Sequence, residues 1–132
     1  MQNKTQLINE WIARANDDEL NARSVLKHRD GTPANVCFLS QQMAEKYLKA
    51  LLLSYTGDYP RTHDLNQLAS LLEDYVSSIF YEMKSEIGFL NPYYVTTRYP
   101  ADVSIESFTW EMAEQAFKAT EKIKEFVLLK IK

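Results

Sequence analysis

"PANVCFLSQQMAEKYLKALLLSY", residues 33–55, decides the fold. Proline opens it, no glycine interrupts it, and its apolar residues recur at helical rather than alternating spacing. On a wheel of about 100° per residue, Val36, Leu39, Met43, Ala44, Tyr47, Leu48, Ala50 and Leu51 cover about half the circumference. The opposite arc carries Gln41, Gln42, Glu45, Lys46 and Lys49, which reads as a solvated side. Phe38, Leu52 and Leu53 break that arc, and apolar groups there predict contact with another element or another chain.

Helical patterning continues on both sides. Upstream, Leu7, Ile8, Trp11, Ile12, Ala15, Ala22, Val25 and Leu26 predict a helix from about Thr5 to Arg29. It ends at "RDGTP", where Gly31 suits a left-handed stop, Thr32 a cap and Pro33 a first helical turn. Downstream, "TGDYPRTHD" is a turn cluster. A third helix starts near Thr62 or His63, with Asp64 in its first turn and Leu65, Leu68, Leu71 and Leu72 inward. A less regular fourth covers about 77–89. A long last helix runs from about Thr109 to Ile131, capped by Thr109, with Glu111 in its first turn and Ala113, Ala116, Phe117, Thr120, Ile123 and Val127 on its core face. No segment alternates with period two, so the chain reads as all-α.

At 132 residues the chain is expected to form one domain over 1–132, able to bury roughly two thirds of its unfolded surface. The single cysteine, Cys37, excludes an internal disulfide framework and fits a reducing compartment. Its setting, "NVCFLS", makes it a small core residue. With two histidines and one cysteine, a His/Cys metal cage is not expected, and neither is a cofactor. Apolar runs fall far short of the roughly 20 residues of a membrane span, and "MQNKTQLINE" lacks a signal-peptide pattern. A cytoplasmic location is expected. The formal net charge of −3 counts against an indiscriminate polyanion binder while leaving room for a local basic site. The lysine-rich end, "KATEKIKEFVLLKIK", suits the C-terminus of a helix dipole.

Three polar groups are candidates for chemistry. Gln42, Glu45, Lys46 and Lys49 stand at i, i+3, i+4 and i+7, a spacing that places them on a single helix face. The plain alternative is a solvated face with a Glu45–Lys49 pair contributing a few tenths of a kcal/mol. Arg61, His63 and Asp64 lie in "PRTHDL", where His63 could bind phosphate, act as a general base, or hold a neighbouring carbonyl or carboxylate. "NPYYVTTRYPAD", residues 91–102, concentrates Tyr93, Tyr94, Tyr99, Arg98 and Asp102 in a loop-like connection. Arg98 offers a planar fork for phosphate or carboxylate, and the tyrosines offer faces for stacking. Equally, the tyrosines could pack the loop onto the bundle and Arg98 could pair with Asp102. No phosphate-cradling glycine loop, Gly-x-Ser-x-Gly elbow or metalloprotease helix motif occurs.

"CFLSQQMAEKYLKALLL", "YPRTHDLNQL" and "NPYYVTTRYPAD", in that order, resemble the HEPN domain family (higher eukaryotes and prokaryotes nucleotide-binding). With flanking helices of the expected lengths, the resemblance covers nearly the whole chain. It implies an up-and-down bundle of four to five helices, usually a homodimer, often encoded beside a minimal nucleotidyltransferase in modules resembling toxin–antitoxin pairs. Many members are metal-independent RNases with an Arg-x(4–6)-His motif near the last long helix. Here Arg98 occupies the matching place, and no histidine follows it in "YPADVSIESF". The literal match, Arg23 to His28, lies within the first helix, where residues five apart point about 140° from each other.

The resemblance therefore implies a non-catalytic HEPN protein engaging a nucleotide, RNA or a nucleotidyltransferase partner. Arg98 would contact phosphate, Tyr94 or Tyr99 would stack, and Lys46, Lys49, His63 and Asp102 would add polar contacts. One alternative is a divergent RNase built on His63 and Arg98. Another is a helical dimer devoted to protein interaction, with Phe38, Leu52, Leu53 and the loop aromatics at its interface.

Overall fold

A computed structural model describes residues 3–100 and 103–132. All regular structure among them is helical: α1 Lys4–His28, α2 Pro33–Thr56, α3 Leu65–Leu72, α4 Ile79–Leu90, a single turn α5 Tyr93–Thr96, and α6 Trp110–Lys130. A short 3₁₀ turn, Ile105–Ser107, precedes α6.

The helix ends follow from local chemistry. Asn3 and Gln6 form a reciprocal capping box at the start of α1. The left-handed residue ending α1 is Arg29, at φ 57°, and not Gly31 as the sequence suggested. Arg29 is held there from outside the helix, its guanidinium 2.7 Å from Glu114 and 4.4 Å from the Trp110 ring of α6. Gly31 serves a different need, because a Cβ at that position would lie 3.0 Å from a Val25 methyl. Thr32 then accepts from the Asn35 N–H at 3.2 Å and Pro33 supplies the first turn of α2. Gly57, at φ 79°, ends α2 as a left-handed cap.

The third helix begins later than expected. Asp64 is its cap rather than a first-turn residue, accepting from Asn66 N–H at 2.9 Å, and Thr62 in turn accepts from Asp64 N–H at 3.1 Å. The connection predicted as a loop contains α5.

Helix α2 is the axle of the molecule. It packs along α1 and α6 and also touches α3, α4 and α5. Neighbours on every side explain why Leu52 and Leu53, on the nominally polar arc, are 3% and 2% exposed. Of the two contacts expected for them, another element or another chain, the structure has the first: both are covered within the same molecule, which leaves neither free for an interface with a second chain. The solvated stripe is corrected for the same reason, since Gln41, Glu45 and Lys49 are all buried. A single cluster of buried apolar residues runs through α1, α2, α3, α4 and α6. Cys37 is fully enclosed in it, and burial pushes its thiol up to about 11.

Among the described residues, no helix is long and apolar enough to cross a membrane.

Candidate functional site

Gln41, Glu45 and Lys49 stand at i, i+4 and i+8 on α2, one above another on a single face. That face meets the turn before α3. Gln41 donates from Nε2 to the His63 carbonyl at 3.0 Å, and Gln42 donates to Gln41 Oε1 at 2.8 Å. Glu45 uses both carboxylate oxygens: Oε1 lies 3.0 Å from His63 Nδ1 and Oε2 accepts from Lys49 Nζ at 2.9 Å. The Lys49 ammonium is also 5.3 Å from the Trp11 ring and 5.9 Å from the Tyr59 ring. A buried ion pair holds only when its remaining valences are met, and here an imidazole and two aromatic faces meet them.

The His63 side chain is half exposed. Its ring lies flat against Tyr94, with centroids 3.9 Å apart and an interplanar angle of 14°. Tyr94 and Arg98 are four residues apart around α5 and its end. The Arg98 guanidinium carbon sits 5.0 Å from the Tyr94 ring, 5.7 Å from Phe38 and 5.9 Å from Tyr99. Nη1 of Arg98 is 3.4 Å from the Tyr94 hydroxyl. Three segments far apart in sequence thus form one continuous chain of contacts: Lys49, Glu45, His63, Tyr94, Arg98. An open recess of about 370 Å³ adjoins it, lined by Thr62, His63, Asp64, Asn91, Tyr94 and Val95.

Asn91 fixes the two halves of the site together. Its Oδ1 accepts from Leu65 N–H at 2.8 Å, and its Nδ2 donates to Asp64 Oδ1 at 3.0 Å. The first residue of "NPYY" therefore ties the helix-capping turn to the segment carrying Tyr94 and Arg98. Sequence reasoning missed this residue, although an Asn-Pro step is a turn signal. It also missed Trp11 and Tyr59 as neighbours of Lys49, a juxtaposition with no local signature.

Lys46 does not join this group. It turns toward α1 and pairs with Asp18 at 2.6 Å. The four residues expected to form one polar surface are therefore divided: Gln42 serves Gln41, Glu45 and Lys49 serve His63, and Lys46 serves α1. Each long side chain on an enclosed helix reaches a different neighbour. Lys49, 5% exposed, lies beneath the site instead of on its surface. Asp102, and with it the expected pairing to Arg98, lies outside the described residues. Arg23, of the literal Arg-x(4)-His match, is held at the α1–α6 contact by Glu19 at 3.1 Å and Glu121 at 3.4 Å, over Phe117.

Burial raises the pKa of Asp18 despite the Lys46 ammonium beside it. A carboxyl that holds its proton more tightly folded than unfolded contributes stability at low pH. That contribution is lost as pH rises through the folded pKa. The stability of Asp18→Asn relative to wild type should accordingly improve as pH is raised from about 4, measured by urea denaturation at a series of pH values. A constant difference across the range would show that Asp18 titrates alike in both states.

Chemically, an imidazole whose Nδ1 faces a buried carboxylate is fixed in orientation, and in its neutral form leaves Nε2 as the unprotonated nitrogen. A guanidinium among aromatic rings has its flat faces against π-systems. Among the described residues, no three His, Cys, Asp or Glu side chains gather closely enough to hold a metal ion.

Comparison with known proteins agrees with this architecture. The HEPN domain family matches residues 8–131. The crystal structure of TT1696 from Thermus thermophilus superposes with a TM-score of 0.76 at 28% identity, covering 94% of this chain and 98% of that one. The crystal structure of ST0689, described as an archaeal HEPN homologue, gives a TM-score of 0.74 at 28% identity over 100% of both chains. No curated protein matches the sequence. With a family match over nearly its whole length and a HEPN homologue sharing its fold end to end, the chain belongs to the HEPN domain family.

Proposed function

We propose that this HEPN protein is a non-catalytic binder of nucleotide or RNA, acting through the surface formed by His63, Tyr94 and Arg98. The observation that carries the reading is the His63–Tyr94 stack, at 3.9 Å, with the Arg98 guanidinium 5.0 Å from the same tyrosine ring. A cation for phosphate beside aromatic and imidazole groups for a base is what single-stranded nucleic acid requires. Tyr99, 53% exposed, extends the aromatic surface next to Arg98. Lys49 contributes from beneath, by holding Glu45 and through it His63. Assembly as a homodimer and partnership with a minimal nucleotidyltransferase belong to the same proposal, on the family resemblance alone. The reading of the site as non-catalytic rests on the missing histidine after Arg98.

In a calorimetric titration with mixed-sequence single-stranded RNA, Arg98→Ala should weaken binding by about 1.5–3 kcal/mol, the range for a charged hydrogen bond. Equal affinity of the two proteins would remove Arg98 from the site.

A second reading, a divergent metal-independent RNase, is favoured by one observation: Glu45 orients His63 as a carboxylate orients a catalytic imidazole, at 3.0 Å. Incubation of the purified protein with mixed RNA in EDTA separates the readings. Cleavage lost in both His63→Ala and Arg98→Ala would establish the enzyme, whereas intact RNA with folded protein supports the binder.

A further inference from the structure

A second concave surface lies toward the C-terminal end of α2, past Lys49, with Tyr59 common to both regions. Glu45 and Thr56 are separated by about 16 Å along the helix axis. Here Leu52, Tyr59, Leu71 and Tyr75 line an open groove of about 360 Å³, together with Asp58 and Asp74. Leu71 is 42% and Tyr75 51% exposed. Both lie on or just after α3, whose other apolar residues are buried. Burying such a patch is a source of binding free energy.

Two features define the chemistry of the occupant. Among the described residues, neither Asp58 nor Asp74 has a cationic partner within ion-pair distance. Asp58 accepts a backbone N–H, from Tyr59 at 2.8 Å, through Oδ1 alone. The groove tyrosines are also held in place from behind. Tyr59 packs edge-to-face on Trp11 at 5.2 Å, and Tyr75 lies 5.7 Å from Tyr55. Fixed aromatic faces between unpaired carboxylates attract a cation with an apolar stem, and pre-ordering lowers the entropy lost on binding. The same carboxylates repel phosphate, which sets this groove apart from the Arg98 surface. The chain itself shows the preference next door, where the Lys132 ammonium lies 5.1 Å from the Tyr55 ring.

We propose that this groove docks a segment of a partner protein in which arginine or lysine side chains alternate with apolar ones.

The test uses a short fluorescein-labelled peptide of alternating leucine and arginine, titrated with the full chain and followed by fluorescence polarisation. The expected result is saturable binding that weakens at least tenfold in Asp58→Asn/Asp74→Asn and in Tyr75→Ala. All three sites are exposed, and thermal melts should show each variant folded as wild type. Arg98→Ala should bind this peptide as wild type does. The proposal is overturned if the wild-type chain fails to bind, if the double variant binds equally well, or if a peptide with glutamate in place of arginine binds as tightly. Sedimentation showing a wild-type dimer that the double variant dissociates would also overturn it, by assigning the face to a second copy.

Discussion

Glu45→Ala should lower the free energy of unfolding by about 3–5 kcal/mol, the range seen when one partner of a buried ion pair is removed. Glu45 is 3% exposed and Lys49 5%. Their 2.9 Å contact sits beneath His63 and beside Trp11 and Tyr59. Without the carboxylate, the Lys49 ammonium stays enclosed with aromatic faces as its remaining company, and His63 loses the group that orients it. The pair itself need not stabilise the fold. Glu45→Leu combined with Lys49→Met should recover most of the loss, because apolar groups of similar size avoid the desolvation of two charges. Urea denaturation of the three variants tests this. A loss below about 1 kcal/mol for Glu45→Ala, typical of a surface pair, would place Glu45 and Lys49 on a solvated face.

The second large effect is expected at Leu52. The sequence places it on the polar arc of α2, as an interface candidate, and the structure places it in the core at 3% exposure. Leu52→Ala should therefore cost about 2–5 kcal/mol of folding stability, as other buried leucines do. The assembly state in sedimentation should stay unchanged. An interface residue would behave in the opposite way, leaving the melting of the isolated chain nearly untouched while weakening association. The two measurements together distinguish core from interface at this position.

These two residues show where the sequence was legible and where it was not. The extents of α1, α2 and α6 followed from apolar spacing, from Thr32 and Thr109 as caps, and from Pro33, because those signals are local. The character of α2 did not follow. A wheel divides a helix into an inner and an outer half, and a helix enclosed by several neighbours has no outer half. Phe38, Leu52 and Leu53 were the visible signs, since a solvated arc has no reason to carry them. Read as enclosure, they would have predicted the burial of Gln41, Glu45 and Lys49 as well.

The candidate site was legible as three motifs but not as an assembly. Nothing in "PRTHDL" reveals that its histidine rests on Glu45 and stacks on Tyr94, because residue 63 meets residues 45 and 94 only after folding. Asn91 is the clearest case. Its two hydrogen bonds join the turn before α3 to the start of the Tyr94 segment, and an asparagine before a proline carries no sign of that reach. Lys46 shows the opposite error. Helical spacing grouped it with Lys49, yet its side chain answers to Asp18 on α1.

The proposed binding surface requires that His63 and Arg98 act on one ligand. The direct measurement is a double-mutant cycle, with mixed-sequence single-stranded RNA titrated calorimetrically into wild type, His63→Ala, Arg98→Ala and the double variant. Residues linked through the Tyr94 ring should couple by at least about 0.5 kcal/mol, so that the loss in the double variant departs from the sum of the single losses. Wild-type affinity in both single variants would mean that the Arg98–Tyr94–His63 chain of contacts is packing and not a binding surface, and strictly additive losses would mean that His63 and Arg98 do not act together on one ligand.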